Sequence, residues 1–349
     1  MPREGKKLKK SNGVIKTKIH EVNFAKIKEE IKMSRKRFGV DIGGTTVKLG
    51  CFETDGKLID KWEIPTRKEN GGENILPDVV KAIEEKLEEL SVAKGEIIGI
   101  GIGVPGPVFE DGTVNGCVNL GWGVFNVVDK VREIIELPEL EVHVGNDANV
   151  AALGEMFKGS GEGFKNLVMV TLGTGVGGGI ILDGKILTGT TGGAGEIGHM
   201  PVGIDETESC TCGNKGCLEQ YGSATGIVKV AKKILASTDK ETPLRNMDSF
   251  TAKDVVDLAK ENDEVAVMVM EQLGSYLGKA LASIACVVNP KAFVIGGGVS
   301  KAGQYLIDMI EKHFKANVFK PCGDVKFVIA SLGNDAGIYG AVAMTMDNN

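Results

Sequence analysis

The chain repeats itself, and that duplication limits the folds open to it. Residues 37–59 read RFGVDIGGTTVKLGCFETDGKLI and residues 166–187 read NLVMVTLGTGVGGGIILDGKIL. Each is an apolar strand, a Gly/Thr turn, a second strand, then an Asp-Gly-Lys turn into a third, with Asp55-Gly56 and Asp183-Gly184 as the hairpin turns. A second echo pairs IIGIGIGVPGP (Ile97 to Pro107) with AFVIGGGVS (Ala292 to Ser300). A third pairs Gly145-Asn146-Asp147-Ala148 with Gly333-Asn334-Asp335-Ala336. The echoes keep one order of meander, helix, strand, helix, strand, helix, which chance similarity of glycine-rich stretches does not explain. The chain is therefore expected to form two homologous α/β domains that differ chiefly by an insertion after the second meander.

Helices fill the gaps. Asn74 to Leu90 carries Ile75, Val79, Ile83 and Leu87 at a spacing that makes one buried stripe. Val265 to Val288 reads as a longer apolar helix ended by Asn289-Pro290, and Ser300 to Phe314 as an amphipathic one. Apolar residues at 42% and charged residues at 25% exclude collagen-like and disordered classes. No apolar run is long enough to cross a membrane or resembles a secretory leader, so a cytoplasmic location and no membrane partner are expected. Residues 1–37 hold 13 Lys/Arg against 4 Asp/Glu, leaving 28 against 43 in the rest of the chain. Residues 1–32 have few large apolar residues and no helix-turn-helix pattern, so they read as a solvated basic extension, not a nucleic-acid module.

Glycine supplies 49 of the 349 residues, about twice average usage, and the glycines fall at turns. Gly173-Thr174-Gly175-Val176-Gly177-Gly178 formally matches the dinucleotide fingerprint, but a strand follows it where a helix is required. No P-loop pattern occurs. What remains is a pair of hairpin turns, Gly43-Gly44-Thr45-Thr46 and Gly173-Thr174-Gly175, one in each repeat. Backbone N–H groups and Thr hydroxyls in two facing turns can clamp a polyphosphate, although either alone is more simply a tight hairpin.

These residues carry a resemblance. Asp41-Ile42-Gly43-Gly44-Thr45-Thr46 with Lys48, the turn Leu172 to Gly179, and Gly296-Gly297-Gly298 resemble the phosphate-1, phosphate-2 and adenosine motifs of the sugar kinase/actin superfamily. Within residues 37–345, Gly145 to Asn149, Gly193 to His199, and the run Cys210 to Glu219 resemble the ROK family of bacterial sugar kinases and repressors. The resemblance implies two duplicated ribonuclease-H-like (actin-like ATPase) domains flanking a cleft. The smaller would comprise residues 33–148 plus 335–349, and the larger residues 149–334.

Cys210, Cys212 and Cys217 form C-x-C-x4-C, with His199 upstream. Three thiolates and an imidazole satisfy tetrahedral zinc and leave no open position, so a structural Zn2+ site in a loop over residues 199–217 is expected. Free reduced thiols are the plainer alternative. A zinc-bound His199 would keep its second ring nitrogen for the pocket that Glu196 and Glu219 share.

Phosphoryl transfer from ATP needs positioning, Mg2+, N–H donors and one base. Asp147, at a strand end that opens a helix, is a candidate base or merely a helix cap. The resemblance makes it the base, with Asn146, Glu196, His199, Glu219 and Asn119 as sugar ligands and Asp41 as the Mg2+ residue. It favours ATP-dependent phosphorylation of the glucose 6-hydroxyl. Other hexoses (N-acetylglucosamine, N-acetylmannosamine, mannose, fructose) and a sugar-sensing repressor are the alternatives. Repressors of the family carry a winged-helix domain before the kinase-like part, and about 36 residues precede the first strand here. The same resemblance suggests a homodimer or homotetramer with no nucleic-acid partner.

Overall fold

The computed structural model describes residues 35–346; the basic extension expected over residues 1–32 lies outside them. Strands β1 (Lys36–Ile42), β2 (Thr46–Phe52) and β3 (Leu58–Pro65) form an antiparallel meander, with Asp41 opposite Lys48. Helix α1 (Ile75–Glu89) follows and buries Ile75, Val79, Ile83 and Leu87 against the sheet, the stripe its spacing predicts. Strand β4 (Ile97–Val104) then lies parallel to β1. A two-stranded hairpin of β5 (Thr113–Cys117) and β6 (Trp122–Asn126) precedes helix α2 (Val127–Ile135) and strand β7 (Val142–Asn146). The sheet order is β3-β2-β1-β4-β7.

Helix α3 (Asp147–Lys158) leads to the second copy. Strands β8 (Leu167–Leu172), β9 (Val176–Leu182) and β10 (Lys185–Ile186) repeat the meander, and Asp183 and Gly184 both take left-handed φ, 51° and 79°, as a type I′ hairpin requires. The insertion comes next and contains the cysteine loop and helices α4 (Ala224–Ser237), α5 (Ala252–Lys260) and α6 (Glu264–Val288). Strand β11 (Ala292–Gly296), helix α7 (Gln304–Asn317), strand β12 (Lys326–Ile329) and helix α8 (Ala336–Met344) complete the chain, giving the order β10-β9-β8-β11-β12. The two sheets thus share one topology, as the duplication requires. Helix α7 starts later than its periodicity suggests, because Gly298–Ala302 forms a 3-10 turn and Gly303, at φ 72°, breaks it from the helix proper. No helix among the described residues is long and apolar enough to cross a membrane.

The chain passes between the sheets twice, through α3 and through the link from β12 into α8. These helices cross where glycine faces backbone: a Cβ on Gly154 would overlap the Ala336 carbonyl, and one on Gly340 the Val150 carbonyl. Helix α8 lies as closely on the first sheet, where a Cβ on Gly39 or Gly101 would overlap the carbonyl of Ile338 or Ala341. Part of the glycine excess therefore serves helix and sheet packing, a use that a reading confined to ligand turns leaves out. Replacing Gly340 with Ala should cost about 1–3 kcal/mol or more in chemical denaturation. Gly95→Ala, at a position with nothing within 4 Å of a new Cβ, should be close to neutral.

Candidate active site

Strand β7 pairs with β4 so that Val104 faces Asn146, and the chain turns there into α3. Asn146 is the cap: its Oδ1 accepts the N–H groups of Ala148 at 3.0 Å and Asn149 at 3.2 Å, while its Nδ2 donates to the Gly106 carbonyl at 3.2 Å. With the cap supplied by its neighbour, Asp147 is not needed for that job. It accepts one N–H, from Ala148 at 2.8 Å, and lines a cleft of about 740 Å³. Burial pushes the Asp147 carboxyl up to about 6, helped by like charge on Asp41 and Glu196 and opposed by the Ala148 N–H.

The cleft gathers Asn119, Asn146, Asp147, Gly173, Thr174, Gly175, Glu196, His199, Glu219 and Gly297. Asn119 arrives on the 3-10 turn Val118–Leu120 between β5 and β6. That turn is braced by buried Leu120 and by Trp122, whose Nε1 donates to the Gly72 carbonyl at 3.1 Å. Two lining features were not singled out from the sequence. Val118 is 95% exposed beside Asn119, and Pro105-Gly106-Pro107 closes one wall; the second was visible as a repeat echo but had no chemistry attached.

Asp41 stands at the end of β1. Its Oδ2 is 3.9 Å from Lys48 Nζ, which also donates to the Asn334 carbonyl at 3.3 Å. Burial raises the Asp41 carboxyl above the ordinary aspartate range, and Lys48 partly offsets this. A Cβ on Gly337 would overlap the Asp41 carboxyl, so the start of α8 forms its wall. The sequence offered a signal for this glycine, since it follows the second Gly-Asn-Asp-Ala echo.

The first turn is closed by the Gly43 N–H donating to the Thr46 carbonyl at 3.0 Å and by Thr66 Oγ1 donating to the Gly43 carbonyl at 2.7 Å. Gly43, Gly44, Thr45 and Thr46 do not form part of the cleft lining, whereas the second turn does. There the Gly173 carbonyl accepts the Ala224 N–H at 2.8 Å and the Thr174 carbonyl accepts Thr225 Oγ1 at 2.8 Å, so the start of α4 holds the turn from behind. Of the three glycines at the end of β11, Gly296 is packed within the sheet against Met169 and Ala330, and Gly297 reaches the cleft. Gly298 opens a neighbouring cavity of about 310 Å³ with Ala224, Val256 and Val299 among its apolar lining and Lys253, Lys260 and Lys301 at its sides.

His199 Nδ1 and the sulfurs of Cys210, Cys212 and Cys217 lie within 4.8 Å of one another. Cys210 Sγ is 3.7 Å from His199 Nδ1, and the Cys212 and Cys217 sulfurs are 3.7 Å apart. Tetrahedral zinc with Zn–S bonds of about 2.3 Å has S···S edges of about 3.8 Å, so the donor set fits that ion. Bridges pairing Pro201 with Cys217 and Ser209 with Lys215 hold the loop. The cluster also grips Glu219: Oε1 accepts from Thr211 Oγ1 at 3.2 Å and from the Cys210 thiol at 3.4 Å, while Oε2 accepts the Val176 N–H at 3.3 Å.

The comparisons with known proteins agree with this architecture. The model of the ROK family matches residues 37–348. The chain belongs to the ROK family. A glucokinase of Halalkalibacterium halodurans is 46% identical over 307 residues, which cover 86% of this chain and 92% of that protein. The ROK family glucokinase from Streptomyces griseus, solved in complex with glucose and AMPPNP, superposes with a TM-score of 0.66 at 32% identity, covering 88% of this chain and 98% of that one. The ROK hexokinase from Thermus thermophilus superposes with a TM-score of 0.72 at 30% identity, covering 89% of this chain and 97% of that one.

In this ROK chain Gly175 and Glu219 depend on each other, because a Cβ on Gly175 would overlap Glu219 Oε2. Gly175→Ala should displace that carboxylate and, through the loss of its bond to the Val176 N–H, lower stability by about 0.5–1.5 kcal/mol in thermal or denaturant unfolding. Gly173→Ala, with nothing within 4 Å of its new Cβ, should leave stability close to wild type.

Proposed function

We propose that the chain is an ATP-dependent kinase of glucose, with Asp147 as the base that accepts the proton of the 6-hydroxyl. The observation that carries this reading is the half-buried Asp147 carboxyl, raised to about 6, in one cleft with the Gly173–Gly175 turn and with Glu196, His199 and Glu219. A relative at 46% identity is a glucokinase, and a solved ROK glucokinase binds glucose with AMPPNP, which supports glucose over the other hexoses and over a sensing role.

The chemistry asks for placement more than for covalent help. Asn119, Asn146, Glu196, His199 and Glu219 offer donors and acceptors to sugar hydroxyls from both sides of the cleft. The Gly173–Gly175 turn would present N–H groups and a hydroxyl to phosphates from the cleft wall, Gly43 to Thr46 would join it as the counterpart from the first repeat, and the cavity at Gly298 has the apolar lining that suits adenosine. Asp41 would hold Mg2+, which when bound neutralises phosphate charge. Zn2+ would be held by His199, Cys210, Cys212 and Cys217, where it fixes the imidazole and Glu219 for the sugar. The sheets act as two lobes, residues 33–148 plus 335–349 and residues 149–334, that close over the substrates and exclude water.

A coupled assay over a panel of hexoses with Mg2+ and ATP should give the highest kcat/KM with glucose; absence of phosphorylation with every hexose would refute the kinase. Asp147→Asn should lower kcat by about 10²–10⁴-fold while calorimetry still detects glucose binding. A base must be unprotonated to act, so wild-type kcat/KM should fall as pH drops through about 6, and that acid limb should be missing from the residual activity of Asp147→Asn. Elemental analysis should find about one zinc per chain, and stripping it with a chelator should lower Tm and raise the glucose KM. Gly44→Val and Gly173→Val, both in open surroundings, should raise the ATP KM with little change in Tm.

A further inference from the structure

Glu155 is an acidic side chain that is 0% exposed, and its partners are uncharged. Its Oε2 accepts from the N–H and Oγ of Ser160, at 2.9 and 3.3 Å, and from the N–H and Oγ of Ser331, at 3.1 and 3.4 Å. Its Oε1 accepts the Leu332 N–H at 2.8 Å. A Cβ on Gly159 would overlap the carboxylate, so the chain leaves room for it. Removing a carboxylate from water is costly, and several converging donors are what make it tolerable.

The location of those donors gives the residue its meaning. Ser160 lies in the link from α3 to β8, and Ser331 and Leu332 lie in the link from β12 to α8. These are the two routes by which the chain passes between the sheets, and one carboxylate ties them together. Asp147 opens the same helix, two turns earlier and about 12 Å away along its axis. Helix α8, which leaves the other link, carries Gly337 against Asp41. None of the hydrogen-bond partners of Glu155 named above lines the cleft, so an effect on turnover would pass through the relative placement of α3 and α8.

We infer that Glu155 is a positioning residue for phosphoryl transfer, a clasp at the interlobe crossovers that keeps Asp147 aligned with Asp41. The inference rests on the kinase reading above. It predicts a loss in kcat that exceeds any loss in substrate affinity, since in-line approach of hydroxyl to phosphate is more sensitive to misalignment than the hydrogen bonds that the sugar takes from the two lobes. Misplacement of the order of 1 Å can cost about 10²-fold in rate.

The test uses the full-length chain with Glu155→Gln, which keeps the volume but turns an amide toward N–H donors, and a Ser160→Ala/Ser331→Ala double variant, which removes the two hydroxyl donors. Steady-state kcat, the KM values for glucose and ATP, calorimetric glucose affinity and Tm are measured for each. Glu155→Gln should lose about 10- to 100-fold in kcat with a smaller loss in glucose affinity, and the double variant should lose less in the same direction. Wild-type kcat in folded Glu155→Gln, even with a lowered Tm, would overturn the inference and leave Glu155 a structural residue. If Glu155→Gln does not fold, wild-type kcat in the double variant overturns it instead. A wild-type protein that phosphorylates no hexose would defeat the kinase reading first, and is thereby told apart from a failure of the clasp.

Discussion

Two helices cross between the sheets at a separation that only glycine allows, and the placement of the cleft carboxyls follows from that contact. Gly154 of α3 and Gly340 of α8 bring backbone against backbone, and Gly39 and Gly101 seat α8 equally closely on β1 and β4. Because α8 is pinned to β1, its first turn meets Asp41 at Gly337; because α3 is pinned to α8, its first residue, Asp147, is fixed relative to Asp41. Close packing in an interior transmits displacement without absorbing it. A backbone contact of this kind offers less slack than interdigitated side chains, which can change rotamer. The spacing of the reactive groups is thus set by residues that have no side chain at all.

The cysteine loop plays a comparable part on the other side of the cleft. It holds Glu219 from one oxygen, through Thr211 and Cys210, while the other oxygen accepts the Val176 N–H just after the Gly173–Gly175 turn. One carboxylate therefore joins the loop of the His199 and cysteine cluster to the strand that follows the Gly173–Gly175 turn. If the cysteines held an ion as thiolates, Cys210 could no longer donate to Glu219, and the Thr211 hydroxyl would be the contact that carries the order of the loop to that carboxylate.

The duplicated topology was legible because the meander, the apolar strand and the Gly-Asn-Asp-Ala turn are local patterns, each fixed by a few neighbouring residues. The gathering of the cysteines was legible for a related reason: the close spacing of Cys210, Cys212 and Cys217 keeps them in one short loop. Asp147 was visible only as one of two things, a base or a cap, and the geometry gives the cap to Asn146. What stayed hidden depends on contacts between distant segments. Glu155 looks like an ordinary glutamate near a helix end, and only the approach of Ser331 and Leu332, far along the chain, turns it into a buried anchor. The packing glycines were hidden in the same way, since a glycine in β1 or β4 carries no mark that distinguishes a ligand turn from a helix laid across the strand.

The electrostatics of the cleft pose a question that the burial pattern answers. Asp41, Asp147 and Glu196 are close enough to raise the Asp147 carboxyl by mutual repulsion, yet the site must admit a polyphosphate. Lys48 offsets part of the charge on Asp41, and the turns contribute N–H groups, which attract anions without adding a titratable charge. A cation held at Asp41 would cancel much of the remaining repulsion and so weaken its effect on Asp147. If repulsion were the main reason for the raised carboxyl, such a cation would return Asp147 to ordinary aspartate strength at the moment of reaction. Burial is the larger cause. Acting as the proposed base, Asp147 would therefore keep its raised proton affinity beside such a cation, and so accept a hydroxyl proton more readily than an exposed aspartate could.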